Sequence, residues 1–582
     1  MGRTELVAEP LRILYRLRAF VGAIPRASVR RQARKFLRAT RDCRTSQRAV
    51  LDELLALNAG SRFSREHRLD EVQTVAHFRK HLPVADYEGF RPYIERLKQG
   101  DFGALLGANQ RLLMFSLSSG TTSESKFIPI TARFLKDYRA GWQSWGIHVL
   151  DDHPSINSRK IVQFTSDYDR FRTEGGTPCG NISGLVVAIQ KPIVRTMYTV
   201  PGTVAKISDP TSKNYASLRL AIADRDVALI TTANPATLSH LAKLGDMERD
   251  SIIRDIADGT LSNEFDIPRD VRRQLRRRIH RRNPTRAREL EQIVEREGAL
   301  YPIDYWPNLA VLAVWSCGSA GAYLHALKRF YGDVPIRDHG LSASEGRMTI
   351  PLWDNCPAGV LDVATHYFEF IPEEEHESNN PTVLEAHELE EGRNYFILLT
   401  TSSGLYRYDI CDVVRCVGFY NTTPMLEFLH KGAHIASVTG EKVSESQVVM
   451  AVRSSIERLH MTVGDFTLAP AWGDPPNYQL LAEPHYDWLP TGGETLAQLV
   501  DEQLQELNCE YREKRQSGRL GTIRWVALPP ETWHNFARKR QQKLGGSLEQ
   551  YKHPCLVPDI DFGRQLLQST VAEELSTTDD RM

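Results

Sequence analysis

The sequence predicts an α/β protein that has a large N-terminal domain and a smaller α+β C-terminal cap domain. Its 582 residues exceed what one hydrophobic core usually organises. From about residue 110, short apolar runs alternate with helical stretches, which is typical of mixed, mainly parallel sheets. Strand-like runs become dense after residue 360 and add a β-rich portion to the large domain.

The first 100 residues are predicted to be helical. Residues 1–48 contain 13 Lys or Arg and three acids, with apolar residues recurring, so one or two amphipathic helices are expected. We expect them to pack on the body of the protein rather than on an anionic membrane, the alternative for a basic amphipathic stretch. A second helix is predicted over 47–63, ending at Asn58-Ala59-Gly60.

Apolar runs that end in Gly, Ser or Thr turns predict the buried strands of the next section. These runs are 111–117, 160–166, 227–232 and 309–315. Helices are expected between them at 236–244 and 319–330, and a basic helix over 269–296. That last helix lacks interleaved aromatic residues, so a solvated helix is favoured over a nucleic-acid contact.

Four further runs predict the β-rich portion, and a composition change marks its end. The runs are 361–371, 382–389, 395–401 and 405–420, with an acidic surface loop over 372–381. The chain reads as mixed α+β from about 431, and residues 574–582 as a loose tail. The predicted domains are therefore 1–430 and 431–582.

Composition excludes several classes of protein. Lys plus Arg and Asp plus Glu both number 73, so the chain is not a generally basic nucleic-acid binder. No run approaches the ~20 apolar residues that span a bilayer, and the amino terminus lacks the pattern of a signal peptide. The eight cysteines include no CxxC pair, which favours buried reduced thiols. A cytoplasmic protein without integral membrane association is expected.

The segment SLSSGTTSESKFIPIT (116–131) follows a predicted strand directly. Its Gly, Ser and Thr residues offer backbone N–H groups and hydroxyls that suit phosphate oxygens, and Lys126 adds a cation. The Walker A pattern GxxxxGK[ST] is absent. A phosphate-binding turn and an ordinary loop both remain possible readings of this segment alone.

The segment DHGLSASEGRMTIPLW (338–353) again lies at the end of a predicted strand. Its small-residue turn leaves room for a base against the backbone, and Glu345 could face a metal–phosphate group. The same residues resemble the GxSxG nucleophile elbow around Ser344, although Ser342 stands where the first Gly is required. A serine hydrolase is therefore the competing interpretation.

The third segment is GLYRYDICDVVRCVGF (404–419), which contains Tyr408 and Asp412. An ionised carboxylate at Asp412 can accept both hydroxyls of a ribose, as an adenosine site needs. On its own the segment is equally compatible with a structural hairpin.

Taken together and in this order, the three segments resemble the Gretchen Hagen 3 family of acyl acid–amido synthetases, members of the adenylate-forming superfamily. Flanking stretches resemble it too, among them YEGFRPYIERL (87–97), GFYNTTPMLEFL (418–429), GEKVSESQV (440–448) and EQYKHP (549–554). The resemblance covers roughly residues 45–560 and is closer to microbial members than to plant auxin-conjugating ones. It implies that a carboxylic acid attacks the α-phosphate of Mg-ATP, and that an amine, commonly of an amino acid, then takes the acyl group from the acyl-adenylate.

The resemblance also implies roles for individual residues. Phosphates would be held by the hydroxyl-rich turn and its lysine: Ser118, Ser119, Gly120, Thr121, Thr122 and Lys126. Ser344, Glu345 and Tyr408 would contact the nucleotide, Asp412 its ribose, and Glu345 the Mg²⁺. Lys552 and Lys442 would act from a C-terminal cap that swings about a hinge near Lys431–Gly432.

Two departures from the family pattern concern nucleotide binding. Ser123 and Ser125 stand where members usually have Gly and Pro, and Cys411 replaces the customary Gly before Asp412. Loss of Gly removes easy access to positive φ. These changes motivate the alternative of a degenerate member that binds nucleotide without catalysis.

The acyl acid and the amine cannot be read from the sequence. Trp142, Trp145, Phe164 and Thr165 are candidates for lining an acyl pocket, against core packing as the other role for the aromatic residues. Transfer of the acyl group to a thiol such as coenzyme A is the remaining alternative to amide formation.

Overall fold

The chain folds into two compact units of unequal size. The computed structural model describes residues 22–119, 125–317, 324–376, 378, 380–431, 435–461, 463–484, 491–533, 535–536 and 554–568. The first unit comprises Met1–Ser118 and Lys126–Leu429, and the second Ser119–Ser125 and His430–Met582. Each unit is described by itself below, and β1, β2 and β15 are given with the larger unit, to which most of their residues belong.

The strands of the larger unit are β1 Leu112–Ser119, β2 Ser125–Thr131, β3 Lys160–Gln163, β4 Phe171–Arg172, β5 Pro178–Gly180, β6 Val227–Thr231, β7 Val311–Val314, β8 Ile336–Asp338, β9 Thr349–Ile350, β10 Gly359–Leu361, β11 Tyr367–Pro372, β12 Leu384–Glu385, β13 Asn394–Thr400, β14 Tyr408–Tyr420 and β15 Thr423–Lys431. Its helices are α1 Ala23–Ala39, α2 Cys43–Leu57, α3 Arg62–Glu66, α4 Val75–His81, α5 Tyr87–Lys98, α6 Ala132–Asp152, α7 Ile182–Ala188, α8 Pro192–Arg195, α9 Pro210–Ile222, α10 Pro235–Met247, α11 Arg249–Asp258, α12 Arg269–Ile279, α13 Pro284–Glu297, α14 Pro302–Tyr305 and α15 Leu324–Tyr331.

A parallel sheet forms where the buried apolar runs are predicted. Its order is β3-β6-β7-β8, and each neighbouring pair runs parallel. All four residues of β7 are buried, which explains its uninterrupted apolar sequence. The side chains of this sheet and of the helices between its strands form one hydrophobic core. The α/β prediction for this section is confirmed.

The β-rich portion is a larger sheet of order β12-β11-β13-β14-β15-β10-β9. β11, β12, β13 and β14 pair antiparallel, as do β15, β10 and β9. The register between β13 and β14 shifts: Phe396 opposes Val413 and Leu398 opposes Asp409. Four steps along β14 therefore match two along β13, which makes a bulge of residues 410–412. A smaller sheet has the order β2-β1-β5-β4.

The N-terminal helices dock on the β-rich portion through buried polar contacts. Gln47 of α2 donates through Nε2 to the carbonyls of Val363 at 3.1 Å and His366 at 2.8 Å. The carbonyl of Thr40 accepts the hydroxyls of Thr422 and Thr423. These side chains and the apolar face of α2 bury the N-terminal segment against the body of the unit, as expected for part of the basic stretch. Residues 1–21 lie outside the described part.

Three predicted elements were wrong in extent. Residues 269–296 form two helices, α12 and α13, because Asn283 caps a new helix and Pro284 occupies its first position. Residues 361–371 contain the last residue of β10 and most of β11, and a turn that begins at Asp362 separates the two strands. The stretch 382–389 contributes only the short β12, followed by a 3₁₀ turn.

The smaller unit is α+β. Its elements are β16 Ile435–Ala436, β17 Val443–Ser444, α16 Glu445–Leu459, β18 Phe466–Ala471, β19 Asn477–Ala482, α17 Gly492–Leu507, α18 Cys509–Gln516 and β20 Arg524–Ala527. β18 and β19 pair antiparallel and β20 joins β19 in parallel. In the part of the chain described, no helix is both long and apolar enough to cross a membrane. The predicted tail at 574–582 lies outside the described residues.

Candidate active site

The turn that carries Ser344 and Glu345 begins at the carboxyl end of β8. Asp338 closes that strand, and its carboxylate accepts the backbone N–H of Ser316 and of Gly340, both at 2.5 Å. Because Ser316 follows β7, one carboxylate holds the ends of two neighbouring parallel strands together. Burial raises the pKa of Asp338. Ligand sites of open parallel sheets lie at such strand ends.

Backbone geometry then fixes the turn itself. Gly340 has φ +81, and a Cβ there would lie 2.4 Å from the carbonyl oxygen of Thr349, so only glycine fits. The N–H of Ala343 donates to the carbonyl of Gly346 at 2.8 Å. Between these two residues, Ser344 is half-buried and Glu345 is buried. The sequence predicted this turn after a strand, and that prediction is confirmed.

The first and second motifs meet through a direct hydrogen bond. Ser116, in β1, donates its hydroxyl to the hydroxyl oxygen of Ser344 at 2.9 Å. β1 leads straight into the predicted phosphate-binding turn. Ser118 and Ser119 are the last residues of β1, whereas Gly120, Thr121 and Thr122 lie outside the described residues, as does the substituted Ser123.

Lys126 lies at the start of β2 beside an aromatic ring. Its Nζ is 5.7 Å from the centre of the Tyr87 ring, and the Tyr87 hydroxyl accepts the N–H of Phe127 at 3.0 Å. These contacts place a cation in the second half of the segment that is predicted to bind phosphate.

The third motif starts from a buried ionic anchor. Arg407 has φ +45, and its Nε donates to Glu369 of β11 at 2.9 Å. Its Nη1 donates to the carbonyl of Leu82 at 2.6 Å, and Arg79 of α4 donates to the other oxygen of Glu369 at 2.8 Å. Both Arg407 and Glu369 are buried. The start of β14 is therefore tied to β11 and to the N-terminal helices.

Tyr408 links the third motif to the second through an electrostatic interaction with Glu345. Its side chain is fully buried, and its hydroxyl has no hydrogen-bond partner in the described part of the chain. Burial raises the pKa of Tyr408 well above its ordinary value, and the nearby negative charge of Glu345 adds to that shift. A buried phenol without a partner beside a carboxylate suits a polar ligand that supplies the missing hydrogen bond.

Asp412 lies in the β14 bulge and is buried. Cys411, the residue before it, has φ +57, the region that the customary glycine adopts freely. The N–H of Cys411 donates to Oδ1 of Asp409 at 2.7 Å, and this bond holds the cysteine in the strained conformation. Cys411 thus adopts a left-handed conformation at the position where the family customarily has glycine.

Of the two lysines predicted to act from the C-terminal unit, the structure describes Lys442. Lys442 directly precedes β17 and has φ +48. Its neighbour Glu441 is buried and accepts the N–H groups of Val438 and Thr439 and the hydroxyl of Tyr478. Asn508 donates to the carbonyl oxygens of both Glu441 and Lys442, so the backbone is fixed while the Lys442 side chain is half-exposed. Lys552 lies outside the described residues.

Arg347, directly after the turn of residues 344–346, was not among the site residues predicted from the sequence. The side chain is fully buried and its guanidinium lies 4.2 Å from the centre of the Trp142 ring. Nη2 donates to the carbonyl of His339, and burial lowers the pKa of Arg347 to about 10. Nε and Nη1 have no partner in the described part. An arginine after a turn usually suggests an exposed residue. The signal in the sequence for this location was the set of aromatic residues in α6, which were candidates for lining an acyl pocket.

The four candidates for lining an acyl pocket differ in burial and contacts. Trp145 is buried and donates from Nε1 to the carbonyl of Asp338 at 2.7 Å. Phe164 and Trp142 are both half-buried, and each packs against a hydrophobic core. Thr165 follows β3. Trp142 also lies against the guanidinium of the buried Arg347.

Comparison with known proteins agrees with this architecture. The GH3 family N-terminal domain matches residues 32–336, the central domain 359–431 and the C-terminal domain 446–560. The jasmonoyl–L-amino acid synthetase JAR6 of Nicotiana attenuata is 26% identical over 93% of this chain and 95% of its own length. The indole-3-acetic acid-amido synthetase GH3.2 of Arabidopsis thaliana is 26% identical over 73% of this chain and 80% of its own.

A solved structure has the same fold over nearly the whole chain. The acyl acid amido synthetase AtGH3.15, determined in complex with 2,4-DB, superposes with a TM-score of 0.63 at 21% identity. The match covers 94% of this chain and 96% of that one. The predicted combination of a large α/β region and a smaller C-terminal domain is thereby confirmed. Since the first of the three family models alone covers more than half of the chain, this protein belongs to the GH3 family.

Proposed function

We propose that this protein is an ATP-dependent acyl acid–amido synthetase that joins a carboxylic acid to an amine, and that the amine is an amino acid. The observation that carries the proposal is the hydrogen bond from Ser116 to Ser344, which brings the first two nucleotide motifs together. Tyr408 adds the third motif beside Glu345. The relatives named above are synthetases for jasmonoyl and indole-3-acetyl amides, which supports the reaction class.

In the adenylation step, the carboxylate of the acid attacks the α-phosphate of ATP and pyrophosphate leaves. Both reactants are anionic, so the site must offset charge and hold them in line. The hydroxyl-rich turn of Ser118, Ser119, Gly120, Thr121 and Thr122, with Lys126, would hold the phosphates. Ser344 would lie against the nucleotide, and Asp412 would accept the ribose hydroxyls.

Glu345 is the proposed ligand for Mg²⁺. Its carboxylate is buried in the turn after β8 and interacts electrostatically with the Tyr408 phenol, and carboxylate oxygen is a ligand that Mg²⁺ prefers. Glu345 would hold the ion, which would supply positive charge against that of the phosphates. Lys552 and Lys442 would supply further positive charge from the C-terminal unit.

In the second step, the nitrogen of the amine attacks the acyl carbonyl, the amide bond forms and AMP leaves with the bonding electron pair. This transfer needs no covalent bond to the protein. Among the described residues, Ser344 is hydrogen-bonded to a serine and not to a histidine, which argues against the hydrolase interpretation. A C-terminal cap that moves about Lys431–Gly432 would let the two steps use different groups.

The microbial type and the cytoplasmic location of this protein are also our proposals. The relatives named above are plant proteins, so comparison with microbial members tests the proposed microbial type. Fractionation of the source cells tests the cytoplasmic location.

The decisive experiment is ATP-dependent amide formation from a mixed panel of acids and amino acids, analysed by mass spectrometry. ATP–pyrophosphate exchange with each acid separately reports adenylation. We expect an amide and AMP from at least one pair, with no product when ATP is omitted. A thioester in place of an amide when coenzyme A is added would instead identify a thiol-transferring ligase. ATP binding without exchange for any acid would contradict the enzyme assignment.

A further inference from the structure

The β14 bulge brings together three side chains of the types that bind metals. One ligand atom each from His376, Asp409 and Cys411 lies within 4.8 Å of the other two. Nothing in the proposed reaction uses any of these three side chains. Cys411 and Asp409 belong to the bulge region of β14, and His376 follows β11 across the sheet.

The three groups are held in place by bonds and stacking. His376 Nε2 lies 2.6 Å from Asp409 Oδ2, and the imidazole stacks on the Phe396 ring at 3.6 Å and 14°. Asp409 Oδ1 accepts the N–H of Cys411. The carboxylate is largely buried and the imidazole three-quarters buried. These contacts keep the imidazole, the carboxylate and the backbone of Cys411 close together, so that only short side-chain movements are needed to bind a ligand.

We propose that His376, Asp409 and Cys411 bind a thiophilic divalent cation of the zinc class. Imidazole nitrogen, carboxylate oxygen and thiolate sulfur are all zinc ligands, whereas Mg²⁺ takes oxygen. Ligand atoms of a tetrahedral zinc lie about 3.3–3.6 Å apart, given bond lengths of about 2.0–2.3 Å. Small side-chain rotations reach those separations. Binding of the cation takes the place of the hydrogen bond between His376 and Asp409, and the thiol proton of Cys411 is released to solvent. The fourth position is open to water.

The proposed cation would fix the conformation of the bulge. Cys411 keeps a φ of +57 at a position where glycine is the favoured residue, and a bond to its sulfur stabilises that conformation. Because Asp412 is the next residue, a cation that fixes the bulge would also fix the position of the Asp412 carboxylate. This second part of the inference depends on the proposed ribose-binding role of Asp412.

The test of the site is a titration of the metal-free, nucleotide-free full-length protein with Co²⁺. We expect the thiolate-to-cobalt charge-transfer absorption of a bound Cys sulfur and its loss when Zn²⁺ displaces the Co²⁺. Cys411→Gly should abolish the absorption, and its fold should persist because glycine suits φ +57. His376→Gln should weaken Co²⁺ binding by at least about tenfold. Cys509→Ser and His387→Gln, outside the cluster, should leave the spectrum unchanged.

Two results would overturn the site: Co²⁺ bound without the charge-transfer absorption, or an absorption that survives in Cys411→Gly. Neither measurement involves ATP, so a failure here is distinct from a failure of the proposed reaction. A second arm measures ATP affinity with and without saturating Zn²⁺. An affinity that responds to Zn²⁺ in the original protein but not in Cys411→Gly supports the fixed bulge, and no response in either protein excludes it.

Discussion

The neighbours of Asp412 along the chain restrict its position. The residue before it is strained, the residue after it is in the sheet core, and the strand is bulged so that its register slips by two positions. Such a residue has little freedom to change position. Its carboxylate is therefore suited to accept two hydroxyls at a fixed separation.

For Asp412→Ala we expect ATP affinity to fall by at least about 10–100-fold, because even one charge-assisted hydrogen bond contributes about 1.5–3 kcal/mol. Titration calorimetry with ATP measures the change. Asp333→Ala, at a side chain that is 90% exposed, is the matched control and should bind ATP normally. Equal affinity in the Asp412 variant and the original protein would refute the ribose role.

At this scale the sequence suggested candidate residues through the combination of its motifs, and their roles stay predictions. Ser344, Glu345 and Asp412 were candidates because their segments together resemble the family pattern. Arg347 was not, because nothing in a single sequence distinguishes a buried arginine from an exposed one. Its burial depends on Trp142, which is 205 residues away in the chain.

Elements were predicted well where burial alone shapes them. β6 and β7 are buried runs within 227–232 and 309–315, as expected. The extent of other elements depends on local signals that hydrophobic periodicity does not contain. Asn283-Pro284 divides one arginine-rich stretch into α12 and α13, and a turn at Asp362 divides one apolar run into two strands.

The Arg79–Glu369–Arg407 network connects α4, β11 and the start of β14. Glu369→Ala should lower the free energy of unfolding by about 3–5 kcal/mol, since the charge of Arg407 would remain buried without its anionic partner. Denaturant unfolding followed by circular dichroism measures this. Glu374→Ala, which removes an exposed pair with Arg393, should cost less than about 1 kcal/mol. A loss for Glu369→Ala as small as the control's would show that the network contributes little.

At the scale of the whole molecule, catalysis is expected to need groups from both units. Lys552→Ala should slow ATP–pyrophosphate exchange by about 100–1,000-fold, the usual effect of removing one group that stabilises a transition state. Affinity for ATP should change far less. Lys442→Ala, measured in parallel, tests the second lysine. Unchanged exchange in Lys552→Ala would remove that residue from the adenylation step.

The pH dependence of stability is set partly by histidines buried without charge. Burial lowers the pKa of His366 to about 3, and neither of its ring nitrogens has a hydrogen-bond partner in the described residues. Below pH 6.5 the unfolded chain binds a proton there that the folded protein does not. Stability is therefore lost as the pH falls from about 6.5 toward 3, by up to about 1.4 kcal/mol per pH unit.

In His366→Phe we expect a shallower loss of stability between pH 6 and pH 4, measured by denaturant unfolding at each pH. His77→Phe, at an exposed position on α4, should keep the original slope. The buried Asp362, whose pKa burial raises to about 6, acts in the opposite direction and is unchanged in both variants. Identical slopes in the two variants would contradict the role of His366.

The docking of α1 and α2 has a consequence during synthesis. Gln47 finds its acceptors at residues 363 and 366, and the carbonyl of Thr40 finds its donors at 422 and 423. At about 5–20 residues per second, a ribosome takes roughly 20–80 s to reach them. During that interval the apolar face of α2 is already outside the exit tunnel, but the β-rich portion on which it packs has not yet been synthesised. We therefore expect the nascent chain to need chaperones that cover hydrophobic helices until residues 363–423 have been synthesised.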